Sequence, residues 1–337
     1  MDNKKLFSLL VLSIFIQCLF IQSSYAVTLK IATLSPDGTS WMKKMRAGAK
    51  QIYEQTQQRV KIKFYPGGVM GNDQAVLKKI RIRQLHGGAV TGGTLLPFYP
   101  SSQVYGSLLA FESADEVTYV RKHMDKMLIN GFDQGGFVTF GLAESGFNYI
   151  MSKQPIKSVA DLSTQKPWIP AGDNNALEMI KTFSITPIPL AISDVLAGLQ
   201  TGLVDTVAIS PIGALALQWH TQIKYITQMP LFYSFGALAV NKKSFNKIKK
   251  SDQKIVRNIF ERIFKNIDTQ NKKDNVAAIA ALKNQGIQFI IPSAAQIKEW
   301  KSLATIATEK LVDSGKLDQK SLNIFNGHIQ NFRNTQK

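Results

Sequence analysis

The sequence is nearly without cysteine. Cys18 is the only cysteine among 337 residues, and it lies in an apolar segment at the N-terminus. Removal of that segment would leave no thiol, which excludes disulfides, cysteine-ligated zinc and a cysteine nucleophile. Stability must then come from burial of apolar side chains. An apolar content of 45% and this length are enough for two cores of ordinary size.

Histidine is also scarce, and its few positions do not resemble a metal site. The four histidines are scattered without metal-ligand spacing, at His86, His123, His220 and His328. The segment from Gly141 to Gly146 contains a serine but lacks the strand, turn and helix of a nucleophile elbow. The sequence therefore predicts no metal, no cofactor and no catalytic residue, with an exported enzyme as the remote alternative.

Carboxylates near predicted loops offer no obvious catalytic pair. They are Asp73, Glu112, Asp173 and Asp205. No two of them have a spacing that favours acid–base chemistry over helix capping or solvation. We interpret them as caps or solvated side chains, and a cluster of them in one pocket would reopen the question.

Acidic residues are much fewer than basic ones. The 23 Asp and Glu residues stand against 41 Lys and Arg, a formal net charge of +18, so nucleic acid must be considered as a partner. The lysines are dispersed in pairs such as Lys43-Lys44 and Lys272-Lys273, with no basic arm or aromatic-rich strand. We predict no nucleic-acid partner, and a solvated basic surface that faces anionic lipid or a protein.

A long apolar run occurs only at the N-terminus. Lys4 and Lys5 precede an apolar run from Leu6 to Ile21, and Ser24 and Ala26 form a small-x-small cleavage site. This pattern is typical of a secretory signal peptide over residues 1–26, so we predict export to the periplasm and a mature start at Val27. An uncleaved membrane anchor is the alternative.

The remaining chain predicts an α/β fold. Strands at Val27 to Thr33, Val60 to Tyr65 and Gly88 to Thr91 alternate with helices that begin near Ser40 and Asp73. Such alternation implies a parallel sheet, whose strands gather ligand-binding residues at their carboxyl ends. Later strands are expected at Phe137 to Leu142 and at Asn148 to Ser152.

A second α/β series suggests two lobes that close on a ligand. We expect residues 27–147 to form the first lobe and residues 148–236 the second. Residues 237–337 are expected to return to the first lobe, with a long helix from about Ser251 to Asn284 and further C-terminal helices.

Several segments, in order along the chain, resemble motifs of one transporter family. They are residues 29–33 with 35–41, 65–71, 81–88, 153–156 with 161–162, and 197–205. The chain is thereby similar to the solute receptors of tripartite ATP-independent periplasmic (TRAP) transporters. The resemblance implies a two-lobed periplasmic solute-binding protein fold with mixed sheets, a hinge and a long helix braced across both lobes. It also implies delivery of the ligand to an ion-coupled membrane permease.

Three departures from the family pattern concern ligand anchoring. Trp168 stands where most members have an arginine that pairs with a carboxylate, Asn148 where many have arginine, and Ser210 where an asparagine precedes proline. A buried carboxylate without a charged partner costs several kcal/mol. We therefore predict a hydrophobic or amphipathic ligand.

The expected ligand-binding residues combine aromatic surface with a few polar groups. They are Trp41, Thr94, Phe98, Phe147, Asn148, Trp168, Asn174, Ser210, Tyr233 and Phe235. Two alternatives stay open: Trp168 is a core residue of the second lobe, or an organic acid is bound through Lys153, Lys166 or Arg46. The resemblance extends to a branch without the arginine that is associated with a tetratricopeptide-repeat partner, so such a partner is a further expectation.

Overall fold

The computed structural model describes residues 26–336. Except for Ala26, the predicted signal peptide, with Cys18, lies outside the described residues. Within them, no helix combines the length and the apolar character needed to cross a membrane.

Eleven strands occur in residues 26–336, nine in one mixed sheet and two in a small parallel sheet. In chain order they are β1 (Val27–Thr33), β2 (Val60–Tyr65), β3 (Gly87–Thr91), β4 (Phe137–Val138), β5 (Ala143–Ser152), β6 (Trp168–Pro170), β7 (Ile188–Leu190), β8 (Thr206–Ile209), β9 (Tyr225–Thr227), β10 (Phe232–Asn241) and β11 (Gln288–Ile290). The large sheet has the order β11-β9-β5-β10-β3-β1-β2, with β4 beside β10 and β8 beside β5; β6 pairs with β7. The predicted mixed α/β class is confirmed.

Eleven α-helices are described in the same range. They are α1 (Ser40–Gln55), α2 (Asp73–Arg81), α3 (Ala114–Gln134), α4 (Val159–Ser163), α5 (Asn174–Lys181), α6 (Val195–Thr201), α7 (Pro211–Ala216), α8 (Lys242–Phe245), α9 (Lys250–Asn284), α10 (Ala294–Asp313) and α11 (Gln319–Thr335). Short polar residues begin many of them: the side chains of Thr39, Asn72, Ser113 and Asp173 each accept a backbone N–H of the first turn.

The first lobe is built on β1, β2 and β3. β1 runs parallel to both β2 and β3, so the carboxyl ends of these strands meet at one edge. Met45 of α1 packs with Phe260 of α9 in one apolar cluster. Val76 of α2 lies in another, with Tyr105 and with Phe325 of α11. The C-terminal helix therefore completes this lobe.

The second lobe contains two smaller apolar clusters. Trp168, Leu199 and Trp219 belong to one of them. Ile150 and Trp300 belong to the other. Trp300 lies in α10, and β11 pairs with β9. Helix α10 and strand β11 therefore pack with the second lobe. The segment 237–337 thus contributes to both lobes rather than returning wholly to the first.

β5 and β10 run from one lobe into the other. Each has ten residues, and they pair antiparallel through residues 143–148 and 232–236, with a register shift between Ser234 and Phe235. β10 continues along β3, and β5 continues along β8. The expectation of a strand beginning at Asn148 is wrong, because the strand begins at Ala143. Gly146, at φ +96°, allows the chain to stay paired through the irregular register.

The 35-residue helix α9 is fixed to this crossing. The side chain of Asp268 accepts the N–H of Glu144 at 2.8 Å, Asn271 donates to the Glu144 carbonyl at 2.7 Å, and Asn275 donates to the Ser145 carbonyl at 3.1 Å. Positions 268, 271 and 275 share one helical face. The long helix expected from the resemblance is therefore held to the strands that link the lobes.

A buried arginine lies beside the same crossing. Arg121 of α3 donates to Asp125 at 2.9 Å, to Asp268 at 2.6 Å and to the Leu142 carbonyl at 2.8 Å. Glu144 lies 3.9 Å from the same guanidinium. This network joins α3, β5 and α9 through charge-assisted hydrogen bonds.

Candidate ligand-binding cleft

A cavity of about 280 Å³ opens between the two lobes. Its size is just below the range of about 300–1,000 Å³ that small-molecule sites usually have. The first lobe lines it with Leu34, Asn72, Asp73, Gln74, Thr91, Gly93, Thr94, Leu96, Pro97 and Pro100. The second lobe contributes residues 170–175, Ala191 and Ile192, and the turn between α10 and α11 contributes Gly315 and Lys316.

The topology brings these segments together. Leu34 follows β1, the segment from Thr91 to Thr94 ends and follows β3, and Asp73 begins α2. From the other lobe, Pro170 ends β6 and Asp173 precedes α5. The cavity therefore lies at the carboxyl ends of parallel strands, where α/β sheets bind ligands.

Asp73 is one of two carboxylates that line the cavity. Its Oδ2 accepts hydrogen bonds from Thr94 Oγ1 at 2.7 Å, from the Thr91 N–H at 3.2 Å and from Thr91 Oγ1 at 3.3 Å. Burial raises the pKa of Asp73, and the hydrogen bonds from the two threonines act in the opposite direction. Its Oδ1 accepts no hydrogen bond from a described residue.

Asp173 approaches the same segment from the second lobe. Its Oδ1 caps α5 by accepting the Ala176 N–H at 2.9 Å. A Cβ atom on Gly93 would lie 3.4 Å from Asp173 Oδ2, so this oxygen lies against the segment that holds Asp73. Burial raises the pKa of Asp173 as well, opposed by the backbone hydrogen bonds from Ala176 and Asn175. The two carboxylates converge on residues 91–94 from opposite lobes.

Little positive charge balances them. Among the described residues that line the cavity, Lys316 is the only basic one, and its ammonium group pairs with Glu178. Each aspartate also occupies the positive end of a helix, where a ligand anion would otherwise bind. The cavity therefore favours hydrogen-bond donors over anions.

The lobes touch at the side of this cavity. Asn175 Nδ2 donates to Gln103 Oε1 at 3.1 Å, across the two lobes. A Cβ atom on Gly172 would lie 3.3 Å from the Gln74 side chain. These contacts close one side of the cavity.

A family model covers most of the chain. Residues 31–314 match the DctP family, bacterial extracellular solute-binding protein family 7. The chain belongs to this family. The resemblance to TRAP receptors noted in the sequence is confirmed at the level of the family, and the cavity lies between the lobes of a family 7 fold.

Curated relatives are distant. The uncharacterized protein YiiZ of Salmonella typhimurium is 25% identical over 158 residues, which cover 46% of this chain and 48% of YiiZ. The sialic acid-binding periplasmic protein SiaP of Vibrio cholerae is 21% identical over 288 residues, or 81% of this chain and 86% of SiaP. The chain thus spans about half of the first relative and most of the second.

Solved structures of TRAP periplasmic solute-binding proteins share the fold. One from Haemophilus influenzae with bound L-gulonate has a TM-score of 0.81 at 18% identity and covers 90% of this chain and 99% of that one. One from Desulfovibrio salexigens with bound orotic acid has a TM-score of 0.79 at 18% identity, with the same coverage. The predicted two-lobed fold is confirmed.

Two of the ten expected ligand-binding residues of this family 7 protein line the cavity. Thr94 is buried and hydrogen-bonded to Asp73, and Asn174 is exposed at the start of α5. Thr94 follows β3, the position that the sequence argument used for it, and Asn174 follows β6 at the start of α5.

Trp168 does not line the cavity. Its ring packs edge to face against Trp219 with centroids 5.0 Å apart, and its side chain is buried in the second lobe. The indole N–H donates to the Leu190 carbonyl at 3.0 Å. The core alternative describes this placement, and the single polar atom of the side chain is already bonded.

The other two polar residues expected to bind the ligand are buried and form hydrogen bonds within the protein. Asn148 donates to Ser234 Oγ at 2.7 Å, on the strands that link the lobes. Ser210 caps α7 by accepting the Gly213 N–H at 3.3 Å. Neither lines the cavity.

The aromatic candidates are distributed over the first-lobe core and the crossing. Tyr233 and Phe235 are buried on β10, and Phe147 packs on Tyr233 with centroids 6.1 Å apart. Phe98 packs on Phe137, and Trp41 packs beside the cluster of α1 and α9. The structure does not bring these five rings to the cavity.

The cations proposed for an acid ligand also lie elsewhere. Lys153 donates to the Leu199 carbonyl and Lys166 to the Gly202 carbonyl. Arg46 pairs with Asp37 at 2.9 Å on the surface. None of the three lines the cavity.

Sequence reasoning missed the two carboxylates. Asp73 and Asp173 were interpreted as caps or solvated side chains, and Asp173 is indeed a cap. Both aspartates follow a strand and lie at the start of a helix. This position, where α/β folds bind ligands, was the sequence signal that could have identified them. Because they come from different lobes, 100 residues apart in the sequence, no local spacing could pair them.

Proposed function

We propose that this chain is the periplasmic receptor of a TRAP-type transporter, which captures a small molecule between its lobes and delivers it to an ion-coupled permease. The observation that carries the proposal is the interlobe cavity, lined from both lobes in a protein of family 7. A signal peptide over residues 1–26, cleaved after Ala26, would place it in the periplasm. A tetratricopeptide-repeat partner beside the permease is part of the same proposal and rests on the resemblance alone.

We propose an amphipathic ligand that is not anchored by a carboxylate. Leu34, Leu96, Pro97 and Ile192 supply apolar wall, and Asp73 supplies a free acceptor. The apolar wall comes from aliphatic residues rather than from the aromatic set expected at first. A purely hydrophobic ligand would donate no hydrogen bond to the remaining oxygens of Asp73 and Asp173.

An organic acid is the second candidate. The structural neighbours named above hold L-gulonate and orotic acid, which is the observation that favours it. Against it, an acid in this cavity would face two aspartates and a lysine that is already paired.

The shared position of two carboxylates reopens the question of an enzyme. A glycoside hydrolase, for example, would need one carboxyl group protonated and another ionised beside the scissile bond. We propose a receptor instead, because the family to which the chain belongs consists of solute-binding proteins. Recovery of an unchanged ligand after prolonged incubation with the protein would support this, whereas steady product formation would contradict it.

The experiment is native mass spectrometry of the protein purified from cells. It would be followed by extraction and identification of any small molecule released on denaturation. A stoichiometric amphipathic molecule without a carboxylate supports both the receptor role and the ligand class. A bound sugar acid or orotate supports the receptor and overturns the ligand class. A protein that carries nothing, and that no metabolite in a thermal-shift screen stabilises, contradicts the receptor role.

A further inference from the structure

Each of the two carboxylates uses one oxygen for hydrogen bonds within the protein. Asp73 uses Oδ2 for three hydrogen bonds from Thr91 and Thr94, which fix its position, while Oδ1 has no partner among the described residues. Asp173 uses Oδ1 to cap α5, and its Oδ2 lies against Gly93. Each carboxylate is therefore held through one oxygen, and both residues line the cavity.

Gly93 lies beside Asp173 in the cavity. A Cβ atom built on Gly93 would be in ordinary van der Waals contact with Asp173 Oδ2, so Asp173 lies against the backbone between Thr91 and Thr94. A carboxylate from each lobe therefore lines the cleft. Two like charges in one cleft favour a proton or a cation beside them.

The surrounding residues supply no such cation. Lys316 is bound to Glu178, and the other described residues that line the cavity are uncharged apart from the two aspartates. This concentration of negative charge occurs in a chain whose formal net charge is +18. The local charge is thus opposite to that of the molecule as a whole.

We propose that the cleft selects a small organic cation, whose ammonium or amidinium N–H groups donate to Asp73 and Asp173. Its apolar portion lies on Leu34, Leu96, Pro97 and Ile192. This inference rests on the proposed receptor function and names its ligand class. The cation joins one carboxylate of each lobe, so its binding also favours the closed arrangement of the lobes.

The test uses sets of probes of similar size and shape that carry a positive, a neutral or a negative group. Glucosamine, glucose and glucuronate form one set, and benzylamine, benzyl alcohol and benzoate form the other. Isothermal titration and thermal shift at neutral pH should show that each amine binds at least about tenfold more tightly than its neutral counterpart, and that each acid binds least.

Charge-removing variants locate the effect. Asp73→Asn and Asp173→Asn should each weaken binding of the preferred amine roughly tenfold to a hundredfold and leave the neutral probe nearly unchanged. Asp194→Asn is the matched control, because Asp194 is an exposed second-lobe aspartate that does not line the cavity. It changes the net charge equally and should leave binding unaltered.

The outcomes separate this inference from the receptor role. Preference for glucuronate or benzoate, or an anion identified by mass spectrometry in the purified protein, overturns the cationic ligand and keeps the receptor. Equal loss of amine binding in Asp194→Asn would show that only net charge matters and would also overturn it. Absence of binding by every probe, together with an empty purified protein, contradicts both proposals.

Discussion

Arg121 lies where three elements meet, with only 7% of its side chain exposed. The guanidinium group is bonded to Asp125 and Asp268 and lies 3.9 Å from Glu144. Burial raises the pKa of Glu144, and the charges of Lys272 and Arg121 oppose this rise. The arginine therefore places a positive charge among three carboxylates at one point of the fold.

Arg121→Met should destabilise the protein by about 3–5 kcal/mol, because it leaves buried carboxylates without their partner. Urea unfolding at neutral pH measures the change. Arg46→Ala is the control, since Arg46 and Asp37 form an exposed pair that should contribute at most about 1 kcal/mol. Similar losses in the two variants would contradict the assigned importance of the buried network.

Asp252 gives a prediction about acid stability. Arg59 donates two hydrogen bonds of 2.8 Å to this buried carboxylate, and the bond from Arg59 lowers the pKa of Asp252 below its usual 3.8. The carboxylate thus stabilises the folded state above about pH 3.8, and this contribution disappears as the pH falls through the lowered pKa. Asp252→Asn should be less stable than the wild type at neutral pH, and the difference should shrink in acid. A difference that stays constant between about pH 6 and pH 2.5 would contradict the linkage.

Trp168 shows why a motif position does not by itself define a ligand contact. Trp168→Arg should destabilise the second lobe by about 3 kcal/mol or more, because it places an unpaired charge in an apolar cluster. Thermal and urea unfolding measure the loss, with Trp168→Phe as a milder control that keeps an aromatic ring there. A stable Trp168→Arg protein that gains dicarboxylate binding would mean that this side chain reaches the cleft after all.

Strand β5 and helix α9 behave as one element at the crossing between the lobes. Gly146, at φ +96°, lies so close to α9 that a Cβ atom there would be 2.5 Å from Asn275 Nδ2. Gly136 has a similar φ of +92° but nothing within 4 Å of such an atom. A comparison of substitutions at Gly146 and Gly136 therefore separates the effect of backbone strain from the effect of steric contact.

Gly146→Ala should be more destabilising than Gly136→Ala by about 1 kcal/mol or more, because only the first adds a clash to the strained backbone. Urea unfolding gives the difference. Hydrogen exchange at the Glu144 amide, which donates to Asp268, should also become faster in Gly146→Ala. Equal effects of the two substitutions would show that α9 does not press on the strand.

At the scale of the whole molecule, the lobes are joined by covalent strands and by contacts across the cleft. Gln103 and Asn175 are hydrogen-bonded across it, and the sequence contains no cysteine after Cys18. Gln103→Cys with Asn175→Cys therefore provides a unique pair for a short bis-maleimide linker.

Linking the two cysteines in emptied protein should abolish uptake of the co-purified ligand, and linking the loaded protein should trap it. The reason is that the ligand enters a cavity formed between lobes that must separate. Equilibrium dialysis measures both effects, and each single-cysteine variant treated with the same reagent is the control. Unchanged uptake by the linked, emptied protein would contradict lobe opening as the entry route.

The sequence by itself determined the class of the fold, the first strands and helices, the long helix and the membership in a receptor family. These follow from local patterns, since apolar alternation, caps and motif residues are read within short segments. The start of β5 was missed because Gly146 interrupts the pattern, whereas pairing with β10 continues through it.

Only the tertiary structure decided which side chains meet in the cleft. It buried Trp168 against Trp219, bound Asn148 and Ser210 within the protein, and set Asp73 beside the segment that Asp173 approaches from the other lobe. The physical reason is that a cleft between lobes joins residues about a hundred positions apart, and their proximity depends on strand crossings that leave no local trace in the sequence.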